Sequence, residues 1–183
     1  MLEIPDINLI DNPEIEVYGY KYYDTSFLTR LEKTFSEKRN KILTFFRLND
    51  YPKVRINLFD NLSILNDFSS KYIQIFPYHK GDCCGGMINY FCDDLLLCDH
   101  IKTGYIISSI CHEFVHMIYH DVVKGTPCVW LEEGLATFLS GQKSFFEINV
   151  ESYINFIEKH ILNSELPKIE FLKVRGRKIR TIC

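Results

Sequence analysis

The sequence has no apolar run approaching the roughly 20 residues that a membrane-spanning helix requires. Residues 1–6 (MLEIPD) also lack the basic start and apolar core of a secretory signal. The formal net charge of −3 and the pI near 6.1 provide no broad positive field for nucleic acid or anionic lipid. We therefore expect a cytoplasmic protein that binds neither membranes nor nucleic acid.

The seven cysteines do not supply two C-x-x-C pairs, so the pattern typical of a thiolate zinc site is missing. In a cytoplasmic protein they are expected to be reduced thiols, and Cys111 is expected in the core. A basic stretch, Lys173 to Arg180, is more typical of a solvated surface than of a contact with nucleic acid. The contents of 46% hydrophobic and 25% charged residues are ordinary globular values.

Apolar periodicity predicts an α+β fold, with mixed strands first and helices second. The length of 183 residues favours a single domain, with a strand-containing lobe at 1–103 and a helical lobe at 104–183. The predicted elements after an irregular N-terminal arm are, in order, a helix from Asp24 or Ser26 to Leu48, a half-buried strand Lys53–Phe59, a helix Asp60–Ser69, a strand Tyr72–Phe76, a hairpin of Met87–Phe91 and Leu95–Leu97, and helices at Gly104–Val122, from Trp130 to Gly141, and at Ile148–Leu162.

The predicted helix Gly104–Val122 carries an H-E-x-x-H motif formed by His112, Glu113 and His116. Positions four apart on a helix lie about 40° apart around the axis and about 6 Å along it. Both imidazoles can therefore reach one metal ion at about 2.0–2.1 Å, while the glutamate stays free to move protons. The pattern predicts a zinc site with a general base beside it.

A zinc site of this kind needs a third protein ligand and an open fourth position. His120 lies about 12 Å along a straight helix from His112, too far to share an ion with it. Tyr119 and Val122 occupy the places where the metzincin pattern has glycine and histidine. Asp121 beside His120 is a further rival for the third position. The adjacent Glu132 and Glu133 are the other candidates; a helix directs them differently, so only one of them can complete the site, and composition alone does not choose between them.

The motif followed by the segment W-L-E-E-G-L-A (residues 130–136) resembles the glutamate zincins, the thermolysin-like peptidase MA clan, and the aminopeptidase N family in particular. The resemblance implies a zincin-like catalytic domain in which Glu133 is the third zinc ligand. Residues 85–89 (GGMIN) are similar to the G-A-M-E-N element of those aminopeptidases, which implies substrate contacts at Gly86, Met87 and Asn89. Ile88 stands where that element has the glutamate that holds a free α-amine.

These observations together predict a zinc metallopeptidase, a hydrolase acting on a peptide or protein. Zinc acidifies water and polarises the scissile carbonyl, and Glu113 accepts the water proton and delivers it to the leaving amine. The resemblance implies that a tyrosine on a later helix, here Tyr153, stabilises the oxyanion. Thr137 is a candidate to orient a ligand histidine. The segment Met87–Tyr90 is a candidate to pair with an extended substrate.

Two other interpretations of the motif remain open. One is a regulatory peptidase that cleaves a single protein partner, and the other is a non-catalytic binding module that keeps the zincin fold. The presence of Glu113 favours catalysis, because a purely structural metal site does not need a base.

Overall fold

The structure is a computed structural model that describes residues 4–74, 80–93, 97, 100–123 and 129–142. All of these lie within one compact unit, Met1–Lys143, so the predicted lobe boundary at 103/104 falls inside that unit. The strands and helices are β1 (Ile7–Asp11), β2 (Ile15–Gly19), α1 (Thr25–Phe45), β3 (Val54–Phe59), α2 (Leu62–Ser69), β4 (Gly81–Asp82), β5 (Ile88–Phe91), α3 (His100–Val122) and α4 (Val129–Ser140).

The five strands form one mixed sheet in the order β1-β2-β3-β5-β4. Strand β2 runs parallel to β3 and β3 parallel to β5, while β1 and β4 pair antiparallel at the two edges. Helices and a mixed sheet are consistent with the predicted α+β class. The half-buried character predicted for β3 is wrong, because this strand lies at the centre of the sheet with helices packed on both faces.

Side-chain caps begin the first two helices. The carboxylate of Asp24 accepts hydrogen bonds from the backbone N–H groups of Ser26 (2.8 Å) and Phe27 (3.3 Å), which confirms the predicted start of α1. Asn61 caps α2 in the same way through Ser63 and Ile64. These side chains satisfy backbone donors that have no partner inside the helix.

Two predicted strand regions are different in the structure. Tyr72 and Ile73 lie in a turn after α2 rather than in a strand, and residues 75–76 lie outside the described residues. The predicted hairpin of Met87–Phe91 with Leu95–Leu97 is wrong, because the antiparallel partner of β5 is the preceding strand β4. Leu97 is helical, and residues 94–96 lie outside the described part. Short apolar runs such as these do not distinguish a strand from a helical segment by periodicity.

Helix α3 has a mainly apolar face that is buried against α1 and the sheet. Phe114 on α3 meets Phe35 of α1 with ring centroids 5.1 Å apart, and Tyr51 from the other side at 5.5 Å. The buried apolar residues of α3 are Ile106, Ile107, Ile110, Cys111, Phe114, Val115, Ile118 and Tyr119. This face fixes the rotation of α3 and therefore the direction in which the motif residues point. It also confirms the core position of Cys111.

Helix α4 ends where the sequence predicts. Gly141 follows the last helical residue and has a positive φ of 66°, a conformation that glycine adopts at low cost. The predicted helix Ile148–Leu162 lies outside the described residues. Within the described part, no helix combines the length and apolarity needed to cross a bilayer.

Replacing the buried Phe35 should destabilise the protein strongly. Phe35→Ala removes a ring that is 1% exposed and should lower the free energy of unfolding by about 3–5 kcal/mol. The matched control Phe45→Ala changes a half-exposed ring at the end of the same helix and should cost less than about 1 kcal/mol. Urea unfolding measures both variants, and equal losses would contradict the packing of α1 on α3.

Candidate metal centre

The two motif histidines lie on the side of α3 that faces α4. Their Nε2 atoms are 3.0 Å apart, and their ring centroids are 4.7 Å apart. His116 is 8% exposed, and His112 is somewhat more open to solvent. The next histidine on this side, His120, is exposed. The structure therefore brings His112 and His116 together as the spacing predicts.

Helix α4 packs antiparallel on α3 and supplies two carboxylates. Its buried positions, Glu132, Ala136 and Ser140, are four residues apart and form one face of the helix. At the far end, Gln142 donates a hydrogen bond from Nε2 to Oγ of Ser109 at 2.8 Å. These contacts align α4 along α3.

The adjacent carboxylates of α4 meet different atoms of the histidines. Glu133 has Oε2 at 3.4 Å from Nε2 of His112, and Oε1 at 3.7 Å from Nε2 of His116. Glu132 has Oε1 at 2.7 Å from Nδ1 of His116, on the other side of the ring. Geometry thus selects Glu133 as the carboxylate that shares a position with both Nε2 atoms, which agrees with the expectation for the third ligand.

The separations in this cluster fit a tetrahedral metal site. Ligand atoms bound to zinc at about 2.0–2.1 Å in tetrahedral geometry lie about 3.3 Å from one another. The cluster gives 3.0, 3.4 and 3.7 Å between the candidate ligand atoms of His112, His116 and Glu133. Two imidazoles and one carboxylate are also a donor set that zinc takes in catalytic sites. The Glu133 side chain is 58% exposed, so the site opens to solvent beside it.

The protonation states of two candidate ligands suit a metal. Burial lowers the pKa of His116, which favours the neutral imidazole that coordinates metals. The hydrogen bond with His112 lowers the pKa of Glu133 and keeps its carboxylate ionised. Both residues are thus available in their ligand forms near neutral pH.

Glu113 lies in a different electrostatic environment. Burial, together with the smaller effect of the negative charges of Asp82, Glu133 and Glu132, raises the pKa of Glu113 to about 8. A cation beside Glu133 would oppose this shift, because an opposite charge favours the carboxylate form. Glu113 thus lies within reach of the charges of several carboxylates. The ion pairs described for two of these, Glu132 and Glu133, are with histidines.

Strand β4 and the turn after it face the motif helix. Asp82 is buried there, and its charge acts on Glu113. Cys83 lies close enough to Glu113 for the glutamate charge to raise the pKa of the thiol, although burial is the larger cause. The structure thus places the Cys83 thiol in a negatively charged surrounding that favours its protonated form.

The residues predicted to contact substrate have unequal access to solvent. Gly86 is exposed with φ 73°, and Met87 is half-buried. Asn89 is 0% exposed; its amide donates to Oδ1 of Asp82 and accepts from Nδ2 of Asn57, both at 2.9 Å. A substrate contact by Asn89 would require this network to rearrange. The contacts implied for Gly86 and Met87 stay predictions.

The pairing of β5 with β4 also changes which strand could pair with an extended substrate, because the predicted segment Met87–Tyr90 is not at an edge of the sheet. Asn89 and Tyr90 already pair with Asp82 and Gly81, so β4 rather than β5 is the edge of the described sheet. Ile88 is buried in the core beneath α3. The predicted oxyanion residue Tyr153 lies outside the described residues.

Sequence reasoning missed the contact that Glu132 makes with His116. It weighed Glu132 only as a rival ligand and assigned the orienting role to Thr137, which is half-buried one turn further along α4. The spacing of Glu132 with Ala136 and Ser140 was the available signal, because it places the glutamate on the buried face of α4.

Comparisons of the chain with protein-family models, with curated proteins and with solved structures found no match. The case for a function therefore depends on the motif, its resemblance and the geometry of the cluster.

The cluster should bind one zinc ion per chain. Glu133→Ala should weaken zinc binding by more than the roughly 10- to 100-fold that loss of an outer-shell partner costs, because it removes a ligand. Competition with a chromogenic chelator measures the affinity, and an anomalous-difference map at the zinc edge locates the ion. The control Glu37→Ala changes an exposed glutamate of α1 and should bind like the wild type. Unchanged affinity in Glu133→Ala would exclude this ligand set.

Proposed function

We propose that this protein is a zinc metallopeptidase with a zincin-like fold, in which His112, His116 and Glu133 hold the metal and Glu113 is the general base. The observation that carries the proposal is the convergence of two Nε2 atoms and one carboxylate at ligand spacing, with the motif glutamate left outside that set. The resemblance of the two motifs to the glutamate zincins supports the same assignment.

The donor set determines what the site offers to a reaction. Zinc, when bound, supplies a Lewis acid that acidifies water and polarises a carbonyl group. Three protein ligands leave a tetrahedral ion one open position, and the exposed side of Glu133 gives solvent and substrate access to it.

Glu113 is the group that moves protons in this proposal. It follows His112 directly on α3 and is not part of the candidate ligand set, and the charges of Glu133 and Glu132 act on it. An ionised Glu113 accepts a proton from the attacking water, and the protonated acid then donates it to the amine that leaves. Burial and the charge of Asp82 raise the pKa of Glu113, which favours the protonated acid between the two steps.

The peptide is expected to lie beside strand β4 and over α4. Strand β4 is one of the two edges of the described sheet, and the Gly85–Gly86 turn that follows it is exposed. An extended chain can add to the edge strand of a sheet. A peptide segment is therefore the substrate class that suits this surface.

Removal of the base should abolish turnover without removing the metal. Glu113→Gln keeps the size of the side chain and should lower peptide hydrolysis by about 100- to 10,000-fold at unchanged zinc content. Cleavage of casein and of mixed fluorogenic peptides by zinc-loaded protein measures the effect, with Glu37→Gln as the control. Activity within tenfold of the wild type would exclude Glu113 as the base. A zinc-bound wild type that cleaves no peptide would instead favour the non-catalytic binding module.

Gly134 tests whether substrate passes over α4 beside Glu133. Among the described residues, none has an atom within 4 Å of a Cβ added there. Gly134→Ala should therefore stabilise the helix by up to about 1 kcal/mol, but it should raise KM if the substrate backbone uses this open surface.

The matched control is Gly104→Ala on α3, where an added Cβ comes no closer than 4.0 Å to Arg30. It should give a similar gain in unfolding free energy and leave KM unchanged. Thermal unfolding and steady-state kinetics measure the two quantities. An unchanged KM in Gly134→Ala would place the substrate elsewhere.

A further inference from the structure

Glu132 is a buried carboxylate held between two histidines of α3. It is 7% exposed, and its Oε1 lies 2.7 Å from Nδ1 of His116 and 2.9 Å from Nε2 of His120. An ionised glutamate accepts hydrogen bonds and donates none, so the nitrogens that face it are donors. Both contacts are within the range of charge-assisted hydrogen bonds.

This contact determines which nitrogen of His116 is free. A neutral imidazole carries one N–H, and here the proton belongs on Nδ1, opposite the carboxylate. The lone pair is then on Nε2, the atom that lies 3.0 Å from Nε2 of His112 and 3.7 Å from Glu133. The hydrogen bond also fixes the rotation of the ring.

We propose that Glu132 is a positioning residue, which holds His116 in the tautomer and orientation that bind the metal, and that His120 anchors Glu132 through its second hydrogen bond. The inference rests on the proposed zinc site and adds to it a residue outside the ligand set. Outer-shell carboxylates of this kind raise the basicity of the ligand and reduce the freedom of the ring.

The other motif histidine lacks a comparable anchor. Nδ1 of His112 is buried and has no hydrogen-bond partner within the described part of the chain. The two candidate ligand imidazoles therefore differ in how their Nδ1 atoms are bound. Glu132 contacts Nδ1 of His116, whereas no described residue forms a hydrogen bond with Nδ1 of His112. Loss of Glu132 should act on the metal through His116.

A second metal position is the competing explanation of the same atoms. Nδ1 of His116, Nε2 of His120 and a carboxylate oxygen of Glu132 lie within 4.8 Å of one another. An ion there would require His116 to bind metals through both nitrogens, which demands loss of both ring protons. A hydrogen bond needs no such deprotonation, so the positioning role is favoured.

The first test is zinc affinity, measured by chelator competition on the full chain. Glu132→Gln retains an acceptor oxygen without the charge and should bind zinc about tenfold more weakly, and Glu132→Ala about a hundredfold. His120→Ala should give a smaller loss than Glu132→Gln, because His116 keeps its partner. Glu37→Gln should match the wild type. Wild-type affinity in both Glu132 variants would overturn the proposal.

Metal stoichiometry and the imidazole tautomer complete the test. One zinc per wild-type chain supports the positioning role, whereas two per chain, falling to one in Glu132→Gln, would establish the second metal position instead. Nitrogen-15 correlation spectra of metal-free wild type should show the Nδ1–H tautomer for His116, which requires no Glu132 variant to fold. The opposite tautomer would overturn the positioning role.

The measurements distinguish failure of the proposed zinc site from failure of the positioning role of Glu132. Absence of zinc binding by the wild type would reject the proposed function, and the positioning role with it. Zinc binding that depends on Glu133 but not on Glu132 would reject the positioning role alone.

Discussion

The packing of α4 on α3 is the contact on which the candidate site depends. The two candidate carboxylates, Glu132 and Glu133, come from α4, and their directions are set by which residues of α4 are buried. Glu132 lies on the buried face with Ala136, so Glu133 is turned by about 100° toward the opening of the cluster. Adjacent glutamates therefore serve different atoms of the same imidazole. A small rotation of α4 would exchange or abolish both contacts.

The charge distribution at this contact explains why a cation suits it. Burial penalises the ionised form of Glu113, and the negative charges of Asp82, Glu133 and Glu132 add to this effect. The hydrogen bonds and ion pairs described for Glu132 and Glu133 join them to histidines, whose neutral form gives no net compensation. Buried charges are stable when they are paired or coordinate a metal. A divalent ion at the proposed ligand cluster would supply that compensation.

The long elements and the pair of ligand histidines could be predicted from the sequence because local rules determine them. Asp24 caps α1, Gly141 ends α4, and the four-residue spacing of His112 and His116 fixes their common side. The apolar periodicity of α3 likewise predicts which face of the helix packs into the core. None of these features depends on a distant part of the chain.

What could not be predicted depends on contacts between distant segments. The antiparallel partner of β5 is decided by tertiary pairing with β4, and the preceding glycine turn is compatible with either neighbour. The burial of Asn89 follows from the Asn57 and Asp82 side chains, which come from other strands. Which of Glu132 and Glu133 contacts Nδ1 of His116, and which approaches the two Nε2 atoms, depends on the rotation of α4. Residue spacing within one helix contains no information about that rotation, and for that reason only the resemblance favoured Glu133.

The proposed metal site would link metal binding to the docking of α4. Its ligands would come from two helices, so an ion bound there would favour the packed position of α4 over a displaced one. A ligand with such preference stabilises the state it selects, in proportion to the logarithm of its concentration over its dissociation constant. The bond between Glu132 and His116 acts in the same direction without the ion, because it holds the two helices at the same point. The proposed site would therefore be partly organised without the ion, which would reduce the entropy that the ligands lose on binding.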